Sequence, residues 1–286
     1  MEQGMVKLFH LSDIHFGLED RQALVWVKQA IADEQPDAVA ITGDLTMRAR
    51  NREFRAACEW IRQLDAPVTV GIGNHDLPYF NPVERFFKPY QRYQGIEALI
   101  EREIDLPGIA IIPLKTTARA QWRLNWSKGC VTRPALAHTL ALIDALPAGT
   151  RVIVAAHHPL REVGTKGTAL TTRGTLALEE LAKRGVLAVL SGHVHDPFDL
   201  IEQTTKGPVR MIGAGTLSQR IRSTPPSFNE IFVEGRDLQV TVRNLAHVPT
   251  PDMQIPAVPE NAMPPREPDE PVSPVGTVPA VDPPVH

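Results

Sequence analysis

The sequence of 286 residues predicts an α/β fold, and three observations support this prediction. Short runs rich in β-branched residues alternate with stretches whose apolar residues recur about every 3.6 positions, a pattern typical of alternating strands and helices. Clusters of polar residues directly follow several of the apolar runs. Four final strand-like runs follow one another without an intervening helix, which predicts antiparallel strands in that part.

The elements can be assigned in chain order. Six short apolar runs are predicted strands, each buried on both faces: Val6–Leu11, Ala38–Thr42, Val68–Ile72, Ile109–Leu114, Val152–Ala156 and Val186–Leu190. Four amphipathic stretches between them are predicted helices: Gln22–Glu34, Arg52–Leu64, Pro134–Leu146 and Thr171–Arg184. The final strands are predicted at Phe198–Thr205, Val209–Ala214, Phe228–Val233 and Leu238–Leu245.

The composition of the chain changes near Val248. Residues 249–286 hold 12 of the 26 prolines, six acidic residues and one arginine. Such a segment has too few large apolar residues to offset the entropy lost on ordering. We therefore predict one globular domain over 1–248 and a Pro-rich, acidic, disordered tail over 249–286.

Charge and composition argue against several classes of protein. The net charge is −3, and removing the tail's −5 leaves only +2 on the globular part, which argues against a nucleic-acid partner. No apolar run reaches the ~18 residues of a membrane span, and the start lacks the features of a signal peptide. The two cysteines, Cys58 and Cys130, show no metal-ligand spacing and suggest no disulfide framework. We predict a cytoplasmic protein with no membrane partner.

Five polar clusters each follow a predicted strand: Asp13-Ile14-His15, Gly43-Asp44, Gly73-Asn74-His75-Asp76, His157-His158-Pro159 and Gly192-His193-Val194-His195. Loops beyond the carboxyl ends of strands in an open α/β sheet converge on one crevice. Carboxylate, amide and imidazole groups are ligands for divalent metals such as Mn, Fe, Co and Zn. Turn formation would explain Asp44 or Asn74 singly, but the ordered set predicts a site for two ions.

The order DxH, GD, GNHD, HH and GHxH resembles the calcineurin-like metallophosphoesterase superfamily, from about Val6 to Leu245. The LSDIHFG opening, the HHP block and the GTLS and PSFN stretches (Gly215–Ser218 and Pro226–Asn229) are most similar to the class III cyclic nucleotide phosphodiesterase and glycerophosphodiesterase branch. The resemblance implies a four-layer α/β/β/α sandwich of two mixed sheets with flanking helices. The metal site would lie at the carboxyl ends of the strands, within a catalytic domain over 1–248.

The resemblance also implies a role for each site residue. Asp13, His15 and His195 would bind one metal ion, Asn74, His157 and His193 would bind the other, and Asp44 would bridge them. The family's ligand aligns with His157 rather than with the adjacent His158. His75 would contact the substrate phosphate and protonate the leaving oxygen, and Asp76 would orient His75. The cofactors would be two divalent ions of Mn, Fe, Zn or Co.

Two such ions favour hydrolysis of a small phosphodiester. They would lower the pKa of a shared water, and the resulting metal-bound hydroxide would attack phosphorus. The branch makes 3′,5′-cyclic AMP or a related cyclic nucleotide the leading candidate substrate. The alternatives are a DNA or RNA end-processing nuclease and a glycerophosphodiester or nucleotide-conjugate hydrolase. A phosphomonoesterase would need more cationic groups near the metals, and a non-enzymatic scaffold should lack ligands, of which none is missing. A homodimer is common in this branch.

Two stretches that mix basic and aromatic residues, 85–93 and 119–128, lie within a predicted insertion at about 78–130. One interpretation is a cap over the site, because aromatic rings stack on bases and arginine pairs with phosphate. The other is that Phe86, Phe87 and Trp126 pack the insertion while its charges face water. The sequence leaves both interpretations open.

Overall fold

The computed structural model describes residues 4–78, 93, 104–117, 128–168 and 170–246. Within these ranges the strands are β1 (Val6–Leu11), β2 (Ala38–Ile41), β3 (Val68–Val70), β4 (Ile109–Leu114), β5 (Arg151–Ala156), β6 (Ala188–Ser191), β7 (Phe198–Thr204), β8 (Gly207–Gly213), β9 (Ser227–Glu234) and β10 (Asp237–Asn244). The helices are α1 (Arg21–Glu34), α2 (Asn51–Arg62), α3 (Arg133–Asp144) and α4 (Gly174–Ala182). All of these elements belong to one unit, Met1–His247.

The strands form two mixed sheets of five. The first has the order β10-β9-β1-β2-β3 and the second β4-β5-β6-β8-β7. β1, β2 and β3 are parallel, as are β4, β5, β6 and β8. The predicted antiparallel pairing is right for the hairpins β7–β8 and β9–β10, which lie in different sheets. It is incomplete for β8, which also pairs in parallel with β6 because its chain direction matches that of the sheet it joins.

Apolar side chains divide the domain into layers. Leu8, Ile153 and Ile231 pack between the two sheets. Phe9 points to the opposite face of β1, where α1 and α2 cover the first sheet, and Val154 contributes to the core that α3 and α4 form on the second. Because adjacent strand residues face opposite sides, each central strand supplies two cores. The predicted α/β/β/α sandwich is confirmed.

The element boundaries follow local chemistry. The Asp20 carboxylate accepts a hydrogen bond from the Ala23 N–H and caps α1, and Thr132 caps α3 in the same way, with Pro134 in its first turn. β3 ends at Val70 rather than at Ile72, because the chain leaves the sheet before the turn that carries Asn74. α4 begins at Gly174, three residues later than predicted.

Two predicted regions fall mainly or wholly outside the described residues. These are the tail over 249–286 and most of the insertion at about 78–130, including both aromatic and basic stretches apart from Tyr93 and Lys128. Among the residues that are described, no helix has the length and hydropathy needed to cross a membrane.

Candidate metal centre

Five of the seven predicted ligands lie on unusually strained backbone. Asp13, His15, Asp44, His193 and His195 all have φ between 51° and 69°, in the left-handed region that residues with a Cβ rarely adopt. Such strain concentrates at functional sites, where the surrounding structure holds it. The DxH and HxH pairs therefore present their side chains from tight turns beyond β1 and β6, rather than from the alternation of an extended strand.

The first group comprises Asp13, His15 and His195. Oδ1 of Asp13 lies 3.1 Å from Nε2 of His195 and 3.6 Å from Nε2 of His15, and the two imidazole nitrogens are 3.2 Å apart. All three residues are buried. The structure thus brings together the three side chains predicted for one metal ion.

The second group comprises Asn74, His157 and His193. Oδ1 of Asn74 lies 3.2 Å from Nε2 of His157 and 3.1 Å from Nδ1 of His193. These three residues follow β3, β5 and β6, so strands from both sheets contribute. This is the set predicted for the other ion.

Asp44 lies between the two groups. Its Oδ2 is 3.8 Å from Nε2 of His15 and 3.3 Å from Nε2 of His157, while its Oδ1 accepts a hydrogen bond of 2.8 Å from the backbone N–H of His75. One carboxylate therefore reaches both groups, as the prediction of a bridging residue requires.

The hydrogen bonds of three histidines leave lone pairs facing one another. Nδ1 of His157 donates to the Thr42 carbonyl (2.9 Å), Nδ1 of His195 to the Arg220 carbonyl (2.8 Å), and Nδ1 of His15 lies 3.4 Å from the Thr46 carbonyl. A neutral ring that donates through Nδ1 can only accept at Nε2. Those Nε2 atoms face carboxylate and amide oxygens, so hydrogen-bond acceptors lie opposite one another with no proton between them. Asp13 Oδ1 is also buried without a hydrogen-bond donor among the described residues. Cations between them would satisfy this donor set, and two metal ions fit it.

The electrostatics of the site favour ionised carboxylates. Burial alone would raise the pKa values of Asp13 and Asp44, but the surrounding imidazoles hold both well below the ordinary range. Burial likewise opposes charge on His157, yet the Asp44 carboxylate raises its pKa to about 9, and a metal ion bound at Nε2 would displace that proton and leave the ring neutral. Burial and the neighbouring His157 lower the pKa of His193 to about 3.

Glycine at two positions makes room for the carboxylates. A Cβ at Gly73 would lie 2.0 Å from Oδ1 of Asp44, and a Cβ at Gly192 would lie 1.7 Å from Oγ of Ser12 and 2.4 Å from Oδ2 of Asp13. Neither residue has a positive φ. Close approach of neighbouring side chains, rather than conformational freedom, is what requires glycine at these two sites.

The structure assigns Asp76 a different contact from the one predicted. Nδ1 of His75 donates to the Met47 carbonyl (2.8 Å), whereas Asp76 accepts hydrogen bonds from the backbone N–H groups of Gly73, Leu45 and Thr46. Burial and the nearby charge of Asp44 raise the pKa of Asp76 to about 6. The expectation that Asp76 orients His75 is corrected: Asp76 ties the loops after β2 and β3 together, because the turn directs it toward their backbone.

Two further histidines are buried near the centre. Nδ1 of His158 lies 2.9 Å from Oγ1 of Thr116, and its ring packs 4.4 Å from that of His193. His10 lies on β1, with Nε2 3.0 Å from Oγ1 of Thr42 and Nδ1 3.3 Å from the Asn229 amide nitrogen. His10 is thus packed inside the domain.

The centre opens into a cavity of about 240 Å³, lined by Asp44, Asn74, His75, His193, His195, Gly167, Thr168 and four cationic residues: Lys128, Lys166, Arg220 and Arg222. Sequence reasoning missed Lys166, Arg220 and Arg222. Arg220 comes two residues after the GTLS stretch, and this proximity was the one sequence signal that could have placed it near the site.

Comparison with known proteins identifies the family of this chain. A model of the calcineurin-like phosphoesterase family matches residues 6–197, which contain all seven predicted metal ligands. The chain belongs to this family. The predicted superfamily is confirmed.

Two curated relatives are similar to this family member. A probable glycerophosphodiester phosphodiesterase of Arcobacter nitrofigilis is 28% identical over 165 residues, covering 56% of this chain and 57% of the relative. A probable cyclic nucleotide phosphodiesterase of Pseudoalteromonas is 27% identical over 212 residues, covering 69% and 74%. The chain thus spans little more than half the length of the first relative.

Two solved structures share the fold. A dimetal phosphatase from Danio rerio superposes with a TM-score of 0.56 at 14% identity, over 84% of this chain and 99% of that one. A purple acid phosphatase from yellow lupin seeds superposes with a TM-score of 0.62 at 15% identity, over 85% of this chain and 52% of that one. At these identities the likeness concerns the architecture.

Proposed function

We propose that the chain is a two-metal phosphodiester hydrolase that acts on a small phosphodiester, with 3′,5′-cyclic AMP or a related cyclic nucleotide as the leading candidate. The convergence of lone pairs in two groups on either side of Asp44 carries this proposal. Membership of the calcineurin-like family supports a metal-dependent phosphoester hydrolase. The names of the two curated relatives support a diester as the substrate.

The described residues would have three kinds of role in such a site: metal binding, proton donation and positioning. One ion would be held by Asp13, His15 and His195. The other would be held by Asn74, His157 and His193, and Asp44 would bind both ions. Bound there, two divalent ions would activate water and stabilise charge on the attacking and leaving oxygens. His75 would hold a proton at Nε2 for the leaving oxygen, while its Nδ1 is fixed by the Met47 carbonyl. Asp76 would act as a positioning residue through the loop backbone.

The rest of the proposal concerns the setting of this site. We also propose a catalytic domain over 1–248, a Pro-rich acidic tail over 249–286, a cytoplasmic location and a homodimer. The small cavity and the charge of only +2 on the globular part favour a small substrate over a nucleic acid. Mn, Fe, Zn and Co all suit the donor set, so elemental analysis of purified protein is the test of metal identity.

The deciding experiment compares diesters on the full chain reconstituted with Mn²⁺. We would measure kcat/KM for bis(p-nitrophenyl) phosphate, 3′,5′-cyclic AMP and glycerophosphocholine, using Asp13→Asn protein as the background control. Hydrolysis of the aryl diester with cyclic AMP turned over equally well or better supports the proposal. Preference for glycerophosphocholine would make a glycerophosphodiester, rather than cyclic AMP, the favoured substrate. If no diester were hydrolysed, the proposed phosphodiester hydrolase would be rejected.

A further inference from the structure

The mouth of the metal centre carries more positive charge than a cyclic nucleotide needs. The cavity lining includes four lysine or arginine residues and one carboxylate, Asp44, which faces the metal groups. In the part of the chain that the structure describes, Lys166, Arg220 and Arg222 form no ion pair with a carboxylate. Arg210 and Arg243, by contrast, are both paired. Unpaired cations at a pocket attract anionic ligands.

The segment Gly192–Asp196 holds the loop of both arginines in place. Oδ1 of Asp196 accepts a hydrogen bond of 2.8 Å from the Ser223 N–H, and His195 donates to the Arg220 carbonyl. The backbone N–H of Arg220 donates to Oγ of Ser218 (3.2 Å). Both arginines are thus positioned by the residues that surround a metal ligand.

The same segment positions Lys166 from the other side. Gly167 lies against Val194, since a Cβ at Gly167 would come within 3.0 Å of the Val194 Cα and carbonyl oxygen. Oγ1 of Thr165 donates to the Gly167 carbonyl (2.9 Å), which closes the loop that carries Lys166. Two independent loops therefore place cations at one opening.

The positions of these cations suggest a division of roles. Nη1 of Arg220 lies 3.1 Å from Nε2 of His75, so Arg220 can reach a phosphoryl group at the metal centre. Lys166 and Arg222 line the same cavity, and a monoanionic diester such as cyclic AMP has no further charge to offer them. Guanidinium and ammonium groups form strong charge-assisted hydrogen bonds with phosphate.

We infer that Lys166 and Arg222 form a subsite for a second phosphate, adjacent to the phosphoryl group that is cleaved. The matching substrate class is a pyrophosphate-linked nucleotide conjugate. In the hydrolysis, the oxygen of water would bond to one phosphorus, and the bond between that phosphorus and the bridging oxygen would break. The bridging oxygen would take a proton, and the products would be two phosphomonoesters. This inference rests on the proposed two-metal hydrolase and favours a phosphoanhydride substrate over cyclic AMP.

The test compares ADP-ribose with bis(p-nitrophenyl) phosphate on Mn²⁺-loaded full chain. The variants are Lys166→Gln/Arg222→Gln and, as a matched control, Lys206→Gln in the β7–β8 turn. We expect the ratio of kcat/KM for ADP-ribose to that for the aryl diester to fall about tenfold or more in the double variant, the scale of one lost charged contact. Calorimetry should show a similar loss of pyrophosphate affinity, with orthophosphate affinity less affected. Lys206→Gln should change neither.

The outcomes separate the two claims. An unchanged ratio together with unchanged pyrophosphate affinity in the double variant would overturn the subsite. Equal losses for pyrophosphate and orthophosphate would also overturn it, because the cations would then serve a single phosphate. If wild-type protein hydrolysed no diester, the proposed function would fail, and pyrophosphate calorimetry on wild type and variant would still decide the subsite.

Discussion

Nη1 of Arg220 lies 3.1 Å from Nε2 of His75, on the opposite side of the imidazole from the Met47 carbonyl. The ring is therefore held at both nitrogens: Nε2 accepts from the guanidinium in this arrangement, and it can carry a proton for the leaving oxygen once Arg220 turns to a phosphoryl oxygen. The same Nη1 is 3.5 Å from Nε2 of His15, so Arg220 touches both the candidate acid and a candidate metal ligand. A phosphoryl oxygen that enters here would meet His75 and Arg220 together.

Replacing His75 by Asn should affect substrates according to their leaving group. An alkoxide, as in cyclic AMP, needs a proton from a general acid, whose contribution is about 10²–10⁴-fold. A p-nitrophenolate needs little help. We expect kcat on cyclic AMP to fall by about 10²–10⁴-fold, and kcat on bis(p-nitrophenyl) phosphate by far less. His138→Asn, at an exposed position on α3, is the control. Equal losses on the two substrates would exclude the acid role.

Replacing Asp13 by Asn should weaken one metal position. The amide removes the charge that faces Nε2 of His15 and His195, so metal affinity at that position should fall by at least the ~10–100-fold seen when partners of ligands are removed. Calorimetric Mn²⁺ titration and the metal-induced rise in Tm measure this. Asp33→Asn, on the exposed face of α1, should titrate like wild type. Two sites of undiminished affinity in Asp13→Asn would contradict the ligand assignment.

Replacing Gly73 by Ala should damage the centre through sterics alone. The new Cβ would lie 2.0 Å from Oδ1 and 2.3 Å from the backbone nitrogen of Asp44, which forces the bridging residue to move. We expect a loss of about 1–3 kcal/mol in unfolding free energy and weaker Mn²⁺ binding. Gly71→Ala is a close control, because its Cβ would meet nothing nearer than 3.4 Å. Similar metal affinity in both variants would show that this close approach does not matter.

Acid should destabilise the domain partly through His10. Complete burial lowers its pKa to about 3, from 6.5 in the unfolded chain. Below pH 6.5 the unfolded state therefore binds the proton more readily, and stability falls as pH decreases from 6.5 toward 3. Between pH 7.5 and pH 5 this group should cost about 2 kcal/mol.

Denaturant unfolding of His10→Gln at both pH values checks this expectation. The variant should lose less stability on acidification than wild type by about that amount, although its lost hydrogen bonds lower stability at both pH values. His138→Gln, exposed on α3, should follow the wild-type pH dependence. An unchanged pH dependence in His10→Gln would assign the acid sensitivity to other groups.

The sequence by itself determined the elements and the candidate ligand set. Apolar periodicity located every strand and helix of the described residues to within a few positions, because burial on one or both faces leaves a direct pattern in the chain. The clusters after β1, β2, β3, β5 and β6 predicted Asp13, Asp44 and the other candidate ligands, since side chains at the same ends of parallel strands converge.

Only the tertiary structure decided contacts made across loops. It gave His75 the Met47 carbonyl in place of Asp76, and it brought Arg220, Arg222 and Lys166 to the mouth of the site. These contacts depend on left-handed turns and on the packing of distant loops against Gly192–Asp196. Turn geometry and long-range packing have no periodic signature in the sequence, because each depends on contacts between residues that are distant in the chain.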